Sequence, residues 1–312
     1  MREPCFVGID TSNYTTSLAF CTKGGETVAN LKLPLAVKAG ERGLRQSDAV
    51  FLHTKNLPTL FESARPFFEK YEPLAIGVSS TPRTQEGSYM PCFLAGVATA
   101  GALAASHGIP CYEFSHQNGH IMAALVSSGA CEELIGRDFA AFHVSGGTTE
   151  VLLVHPNGND FSCEIIGGTL DISAGQAIDR VGVSLGLSFP CGAALEKLAL
   201  SYGGKPFAKK GSVKDGYCNL SGLENMALDM QKKGTSGEEI AAFVLTFIGR
   251  TLVALTESVR ERYPGIPLVY SGGVMSCSIL KRMLAGDGCY FAEPALSADN
   301  AVGIAHLTRL AY

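Results

Sequence analysis

Apolar and polar positions change their rhythm along this chain, and the places where they do so outline its elements. Phe139-Ala-Ala-Phe-His-Val144 is an apolar run, Ser145-Gly146-Gly147-Thr148-Thr149 is a hydroxyl-rich glycine turn, and Glu150-Val-Leu-Leu-Val-His155 resumes the run. Apolar and β-branched runs around a glycine pair predict strand, turn and strand. The pattern recurs near the N-terminus, where Cys5-Phe-Val-Gly-Ile-Asp10 leads through Thr11 to Thr16 into Ser17-Leu-Ala-Phe20. One such unit in each half predicts a duplicated fold with one phosphate loop per half. A third glycine turn, Ser271-Gly272-Gly273-Val274, follows the apolar run Ile266 to Tyr270 and precedes a helical pattern. Backbone N–H groups at such a helix start can face a nucleotide phosphate.

Between these turns the period alternates between strand-like and helical. Leu52, Leu57, Leu60, Phe61, Ala64 and Phe67 recur at helical spacing within a helix expected over about 49–70, and Leu74 to Ser80 reads as a strand. The small-residue run Cys92 to Ala105 predicts a close-packed buried helix, since it is too short to span a bilayer. Ser115, after a short strand at 110–114, is the expected N-cap of a helix ending near Ser128. The second half adds a strand at 162–166, a helix from Asp171 to about Gly186, another from Gly192, and a long amphipathic helix over about 236–263. A strand at 289–291 and a last helix, capped within Ser297-Ala-Asp-Asn300 and running to Tyr312, complete it. Two loops hold basic clusters: Lys38, Arg42 and Arg45 in the first, and Lys205, Lys209, Lys210, Lys214, Lys232 and Lys233 in a stretch over 203–236 that reads as a solvated insertion.

Composition adds bounds. With 312 residues, 46% of them hydrophobic and 17% charged, the chain can bury a sizeable core and is most simply two domains. Its ten cysteines form no C-x-x-C pair, which removes the usual structural zinc signature. The N-terminus has no apolar signal segment, so the cysteines are expected to be reduced and the chain cytoplasmic, without a membrane span. A net charge of −4 gives no global attraction to nucleic acid, so any such contact needs a local patch or a partner.

Several side chains are candidates for chemistry. His116 and His120 lie one helical turn apart, a spacing metal ligands use, although two such histidines are more often a structural pair. Gln117 stands where a zinc peptidase of the H-E-x-x-H type has its general base, so a peptidase is not expected. Asp299 is the best third ligand and also an ordinary N-cap. Asp10 and Ser145, at the two turns, are the candidate catalytic side chains; Asp10 could order Mg²⁺ or water near phosphates, or simply hydrogen-bond at a strand end. Asp179 suits a ribose hydroxyl, or a salt bridge with Arg180 or Arg42.

The ordered set Gly8-Ile-Asp-Thr-Ser12, His116-x-x-x-His120, Val144-Ser-Gly-Gly-x-Thr149, Asp171-x-x-Ala-Gly-x-Ala-x-Asp179, Phe189-Pro-x-Gly192, Ser271-Gly-Gly-Val274 and Asp299-Asn300 resembles the tRNA adenosine threonylcarbamoyltransferase family, which includes the KEOPS catalytic subunit. The resemblance covers nearly the whole chain. It implies an α/β, actin-like, Hsp70-like and sugar-kinase (ASKHA) fold of two duplicated mixed-sheet lobes, one formed by 1–135 with 296–312 and the other by 136–295. It further implies a divalent iron or zinc ion held by His116, His120 and Asp299, and an ATP, AMP or threonylcarbamoyl-AMP site at Val144, Ser145, Gly146, Gly147, Asp179, Gly192, Gly272 and Gly273. The implied reaction moves the threonylcarbamoyl group from threonylcarbamoyl-AMP to adenosine 37 of tRNA, with partner subunits.

This chain also departs from the family pattern. Asn13, Tyr14 and Thr15 replace a cysteine and an acidic pair, Asn118 a glutamate, Thr148 a histidine, the segment Thr81 to Met90 a glycine-proline-glycine loop, and Cys277 an asparagine. These substitutions predict altered substrate-facing positions. They leave open a divergent member that passes a carbamoyl-type group to another acceptor, and a non-catalytic nucleotide-binding partner subunit.

Overall fold

The computed structural model describes residues 2–12, 14–36, 44–296 and 300–312. In chain order its elements are β1 (Glu3–Asp10), β2 (Thr15–Thr22), β3 (Thr27–Pro34), α1 (Gln46–Lys70), β4 (Tyr71–Thr81), α2 (Phe93–His107), β5 (Cys111–Ser115), α3 (His116–Ser127) and α4 (Cys131–Leu134). There follow β6 (Phe139–Val144), β7 (Thr149–Asn157), β8 (Asp160–Thr169), α5 (Ala174–Ser184), α6 (Gly192–Ser201), β9 (Val213–Lys214), β10 (Tyr217–Cys218) and α7 (Gly222–Lys232). The last are α8 (Gly237–Arg262), β11 (Leu268–Ser271), α9 (Ser278–Leu284), β12 (Cys289–Phe291) and α10 (Val302–Ala311). Two compact units emerge: Met1–Cys131 with Pro156–Ser162 and Ala295–Tyr312, and Glu132–His155 with Cys163–Pro294.

Unit 1 is built on a five-stranded mixed sheet of order β3-β2-β1-β4-β5, in which β1 to β3 form an antiparallel meander and β4 and β5 add in parallel. Unit 2 has β8-β7-β6-β11-β12 in the corresponding order. The two sheets therefore repeat one topology, as the paired strand-turn-strand pattern predicts. The connections differ in length: Asp10 pairs Ser17 across residues 11–16, whereas Val144 pairs Thr149 across residues 145–148.

Strand β3 was not expected from the sequence. It lies at the sheet edge with most of its residues half-buried, and Ala29, Leu31 and Leu33 alternate with Asn30 and Lys32. The stretch over 203–236 is also more than a solvated insertion. Asp215 (φ 52°) and Gly216 (φ 83°) form a two-residue hairpin turn joining β9 to β10, and β10 pairs in parallel with β8, which extends the sheet by two strands. Helix α7 then follows Ser221, whose N–H and hydroxyl both donate to Asp171 Oδ2 at 3.0 and 2.6 Å. Asp171 Oδ1 accepts from Ile172 and Leu220 N–H at 2.7 and 2.8 Å. Burial pushes this carboxyl up, but these hydrogen bonds outweigh it and hold it well below the usual carboxylate range. Asp171 thus ends β8 and pins α7, and the helix expected from Asp171 begins at Ala174, capped by Ser173.

The core of unit 2 forms around α8, which packs on α6, α7 and α9. By length and composition alone α8 could cross a membrane, yet 78% of its most apolar window is buried within the unit. In unit 1, α10 lies against β1, β2 and α3. It carries His306, 2% exposed, whose Nε2 is 2.8 Å from Thr27 Oγ1.

Burial, helped by the Arg309 guanidinium, pulls the His306 pKa from 6.5 down to about 4. Between those values the unfolded chain binds a proton that the folded chain does not, so stability rises with pH across this window. The contribution is fully present above pH 6.5 and falls away towards pH 4, with a ceiling of about 3 kcal/mol for a shift of this size. Urea unfolding across this range is expected to show a flatter pH dependence for His306→Gln than for the wild type.

Candidate functional site

In unit 2 the turn between β6 and β7 is closed by its own hydroxyl. Ser145 N–H donates to Thr148 O at 2.7 Å, and Thr148 N–H donates to Ser145 Oγ at 3.1 Å. The Ser145 hydroxyl is therefore engaged in bracing the turn. Gly146 and Gly147 are exposed, and their N–H groups make no protein hydrogen bond among the described residues. Adjacent open amides of this kind form an anion-binding concavity.

The first turn of α5 supports this loop from below. Ser173 Oγ donates to Gly146 O at 2.7 Å, Gly175 N–H donates to Ser145 O at 3.2 Å, and Ala174 N–H donates to Thr149 Oγ1 at 2.9 Å. Gly175 is required for the approach, because a Cβ there would lie 2.5 Å from Gly146 Cα. On the neighbouring strand, Gly272 (φ 97°) faces the Val144 carbonyl so closely that no side chain fits, and it turns the chain into the 3₁₀ segment Gly273–Ser276.

These elements enclose a cavity of about 380 Å³ lined by Gly146, Ile178, Asp179, Gly192, Glu196 and Cys277, among others. Asp179 Oδ1 accepts from Cys191 N–H at 2.8 Å, which fixes the Phe189 to Gly192 loop at the start of α6. Its second oxygen makes no protein hydrogen bond among the described residues. The salt bridge considered for Asp179 does not form with Arg180, whose Nη1 is 3.1 Å from Glu224. Glu196 Oε1 accepts from the Ser278 N–H and hydroxyl at 2.7 and 2.6 Å, holding the start of α9. Burial, with Glu196 nearby, pushes the Cys277 thiol up, so at neutral pH it is not a thiolate nucleophile.

Of the residues expected at a nucleotide site, Gly146, Asp179, Gly192 and Gly273 line this cavity. Val144, Ser145, Gly147 and Gly272 are outside its lining, with Val144 fully buried beneath the turn. Glu196 and Ile178 were missed. Both carry a helical signal: Glu196 follows Gly192 by four on α6, and Ile178 follows Gly175 by three on α5, so each shares a face with a recognised glycine.

In unit 1, Ser115 caps α3 by accepting from Asn118 N–H at 3.1 Å, and this sets His116 at the start of the helix and His120 one turn later. Their ring centroids are 4.3 Å apart, with the planes at 73°. His116 Nδ1 lies 2.7 Å from Oδ2 of Asp10, which is 1% exposed. Asp10 Oδ1 accepts from Ser12 N–H at 2.7 Å. Burial pushes the Asp10 carboxyl up, but His116 and the Ser12 hydrogen bonds prevail and lower it to about 2. An acid closed off from solvent with both oxygens engaged does not suit Mg²⁺, which keeps several waters. Asn118 is fully buried and donates to Asp160 Oδ1 and Phe161 O at 2.8 and 2.9 Å. A glutamate could not donate both bonds, so this departure serves the fold and is not substrate-facing.

Lys38, Arg42, Asn13 and Asp299 lie outside the described residues, and among the described residues no cluster of three His, Cys, Asp or Glu could hold a metal. Two imidazoles in mutual contact, one backed by a carboxylate, still suit a borderline ion such as iron or zinc; a third donor must come from elsewhere.

A sequence model of the TsaD family, described as tRNA N6-adenosine threonylcarbamoyltransferase, matches residues 53–306. Relatives of that description include a protein of Streptococcus suis (strain 05ZYH33), 27% identical over 297 residues, or 92% of this chain and 85% of that protein. Another, from Thermotoga neapolitana, is 27% identical over 311 residues, 96% of this chain and 91% of that protein. Among solved structures, the fold is similar to HypF of T. kodakarensis, with a TM-score of 0.65 and 13% identity over 99% of this chain and 47% of that one. It is also similar to component A of the Acidaminococcus fermentans (R)-2-hydroxyglutaryl-CoA dehydratase, with a TM-score of 0.56 and 16% identity over 99% of both chains. At such identities the structural likeness speaks to fold alone, a mixed α/β arrangement with two mixed sheets.

The close approach of α5 to the turn makes Gly175→Ala a sensitive test. It is expected to cost about 1–3 kcal/mol of stability, the usual range for overpacking, which chemical denaturation measures.

Proposed function

The chain belongs to the tRNA N6-adenosine threonylcarbamoyltransferase family, and from that premise we propose that it transfers the threonylcarbamoyl group of threonylcarbamoyl-AMP to an adenosine of tRNA. The observation that supports this best is the unit 2 cavity, of a size suited to a small ligand, with open main-chain amides beside an acid that keeps an oxygen to offer. The purine ring lies along Ile178 and the start of α6, and the second oxygen of Asp179 accepts from a ribose hydroxyl. The Gly146 and Gly147 N–H groups meet the phosphate, where they stabilise the charge that AMP gains as it leaves. Ser145 holds the turn and takes no covalent part. The exocyclic amine of adenosine attacks the carbamoyl carbon, the bond to the phosphate oxygen breaks, and the amine loses a proton.

His116, His120 and, by the sequence resemblance, Asp299 would hold a divalent iron or zinc ion. When bound, the metal supplies Lewis-acid polarisation of a carbonyl or phosphoryl oxygen. The acceptor carries many phosphates while the chain is net negative, so tRNA docking relies on local cations such as the exposed Lys205, Lys209 and Lys210 and on partner subunits. This chemistry belongs in the cytoplasm.

One observation favours a second reading, in which a different carbamoyl-type group or acceptor is used. Cys277 lines the cavity where the family pattern has an asparagine, and a thiol cannot make the paired hydrogen bonds of an amide.

Purified protein with its partner subunits, threonylcarbamoyl-AMP and unmodified tRNA is expected to yield the modified nucleoside by mass spectrometry. Asp179→Asn is expected to weaken AMP binding about tenfold or more, the scale of one hydrogen bond to a charged group. AMP binding without any modified nucleoside would favour the second reading, and failure to bind AMP would remove both.

A further inference from the structure

His116 ends up against Asp10, a residue 106 positions away in sequence and shut off from solvent. Asp10 holds two hydrogen-bond partners at once. Its Oδ1 is 2.7 Å from Ser12 N, on the turn between β1 and β2, and its Oδ2 is 2.7 Å from His116 Nδ1, on α3. A backbone N–H can only donate, and an ionised carboxylate can only accept. His116 Nδ1 therefore carries a proton towards Asp10, and in the neutral form of the ring the lone pair is on Nε2. Position and tautomer are fixed together, because both partners sit on regular elements: Asp10 closes β1, and His116 opens α3 directly after its Ser115 cap.

We propose that Asp10 is a positioning residue that holds His116 in the Nδ1–H tautomer, so that Nε2 is presented as a metal-ligating nitrogen, and that the same carboxylate ties the first turn to this ligand through Ser12. This rests on the metal-dependent reading above and deepens it. Asp10 does not touch substrate or metal. A carboxylate behind a ligating imidazole orients the ring and raises its basicity, and loss of such a partner commonly costs about 10- to 100-fold in metal affinity.

Asparagine at position 10 exposes the device. Its amide keeps one acceptor for two donors, so if Ser12 N–H retains the oxygen, the NH₂ group faces His116 Nδ1. The ring must then accept at Nδ1 and carry its proton on Nε2, which removes the ligating lone pair. A merely structural carboxylate would change stability without changing the tautomer.

The test combines two readouts. In metal-free wild-type protein at pH 8, long-range ¹H–¹⁵N NMR of the histidine rings should show His116 protonated on Nδ1 and bare on Nε2. Zn²⁺ titration against a chromophoric chelator should show Asp10→Asn binding about 10- to 100-fold more weakly than the wild type. An Nε2–H tautomer in the wild type, or unchanged Zn²⁺ affinity in a folded Asp10→Asn, overturns the proposal alone. A wild-type chain that takes up no Zn²⁺ overturns it together with the metal-dependent function. Should Asp10→Asn fail to fold, the wild-type tautomer decides.

Discussion

A turn that must offer its amides to a ligand cannot be held together by those same amides. This constraint organises the second unit. The N–H groups of Gly146 and Gly147 are left outward, so the turn is closed by hydroxyls and carbonyls: Ser145 bonds Thr148 from within, while Ser173, Thr149 and Gly175 fasten the first turn of α5 beneath. Main-chain groups that find no protein partner cost free energy only where water or a ligand cannot reach them. An exposed loop can therefore keep two amides open at little cost. The corresponding turn of unit 1 solves the problem differently, with the Ser12 amide given to the buried Asp10. One topology thus carries an open loop in one copy and an inward-facing carboxylate in the other.

The duplicated sheet explains why such different loops can occupy equivalent places. In both units the meander leaves its first two strands joined by a short turn, and two later strands add in parallel on the other side of the first. Turn chemistry can then change while strand pairing holds the register. Unit 2 adds the β9–β10 hairpin and α7, fixed to the end of β8 by the Asp171 carboxylate. Lys214 and Lys232 of that stretch are consequently mounted on regular elements, whereas Lys205, Lys209 and Lys210 lie on irregular chain before them.

Much of this was legible in the chain because it is local. Strand-turn-strand units, the Ser115 cap and the long α8 all follow from period and capping chemistry. Strand β3 carries its own signal, Ala29, Leu31 and Leu33 alternating with Asn30 and Lys32, although it was not expected. The Asp215-Gly216 turn carried a readable hairpin signal between strands too short to announce themselves. At the site, the glycines and Asp179 could be picked out by motif, and Glu196 could have been reached by helical spacing. The pairing of Asp10 with His116, and of Asn118 with Asp160, could not, because each joins residues far apart in sequence. The Asn118 departure shows the consequence: a substitution that suggests altered substrate contacts in sequence proves to be a buried hydrogen-bond donor.

For this turn to act as the phosphate loop, the open amides beside Asp179 must receive a phosphate. The most direct measurement is amide chemical-shift mapping of ¹⁵N-labelled protein titrated in parallel with AMP and with adenosine. Both ligands should perturb the walls near Ile178 and Gly192, and only AMP should produce large shifts at Gly146 and Gly147. Identical responses at those two glycines, or none with AMP, would contradict the assignment of this turn as the phosphate loop.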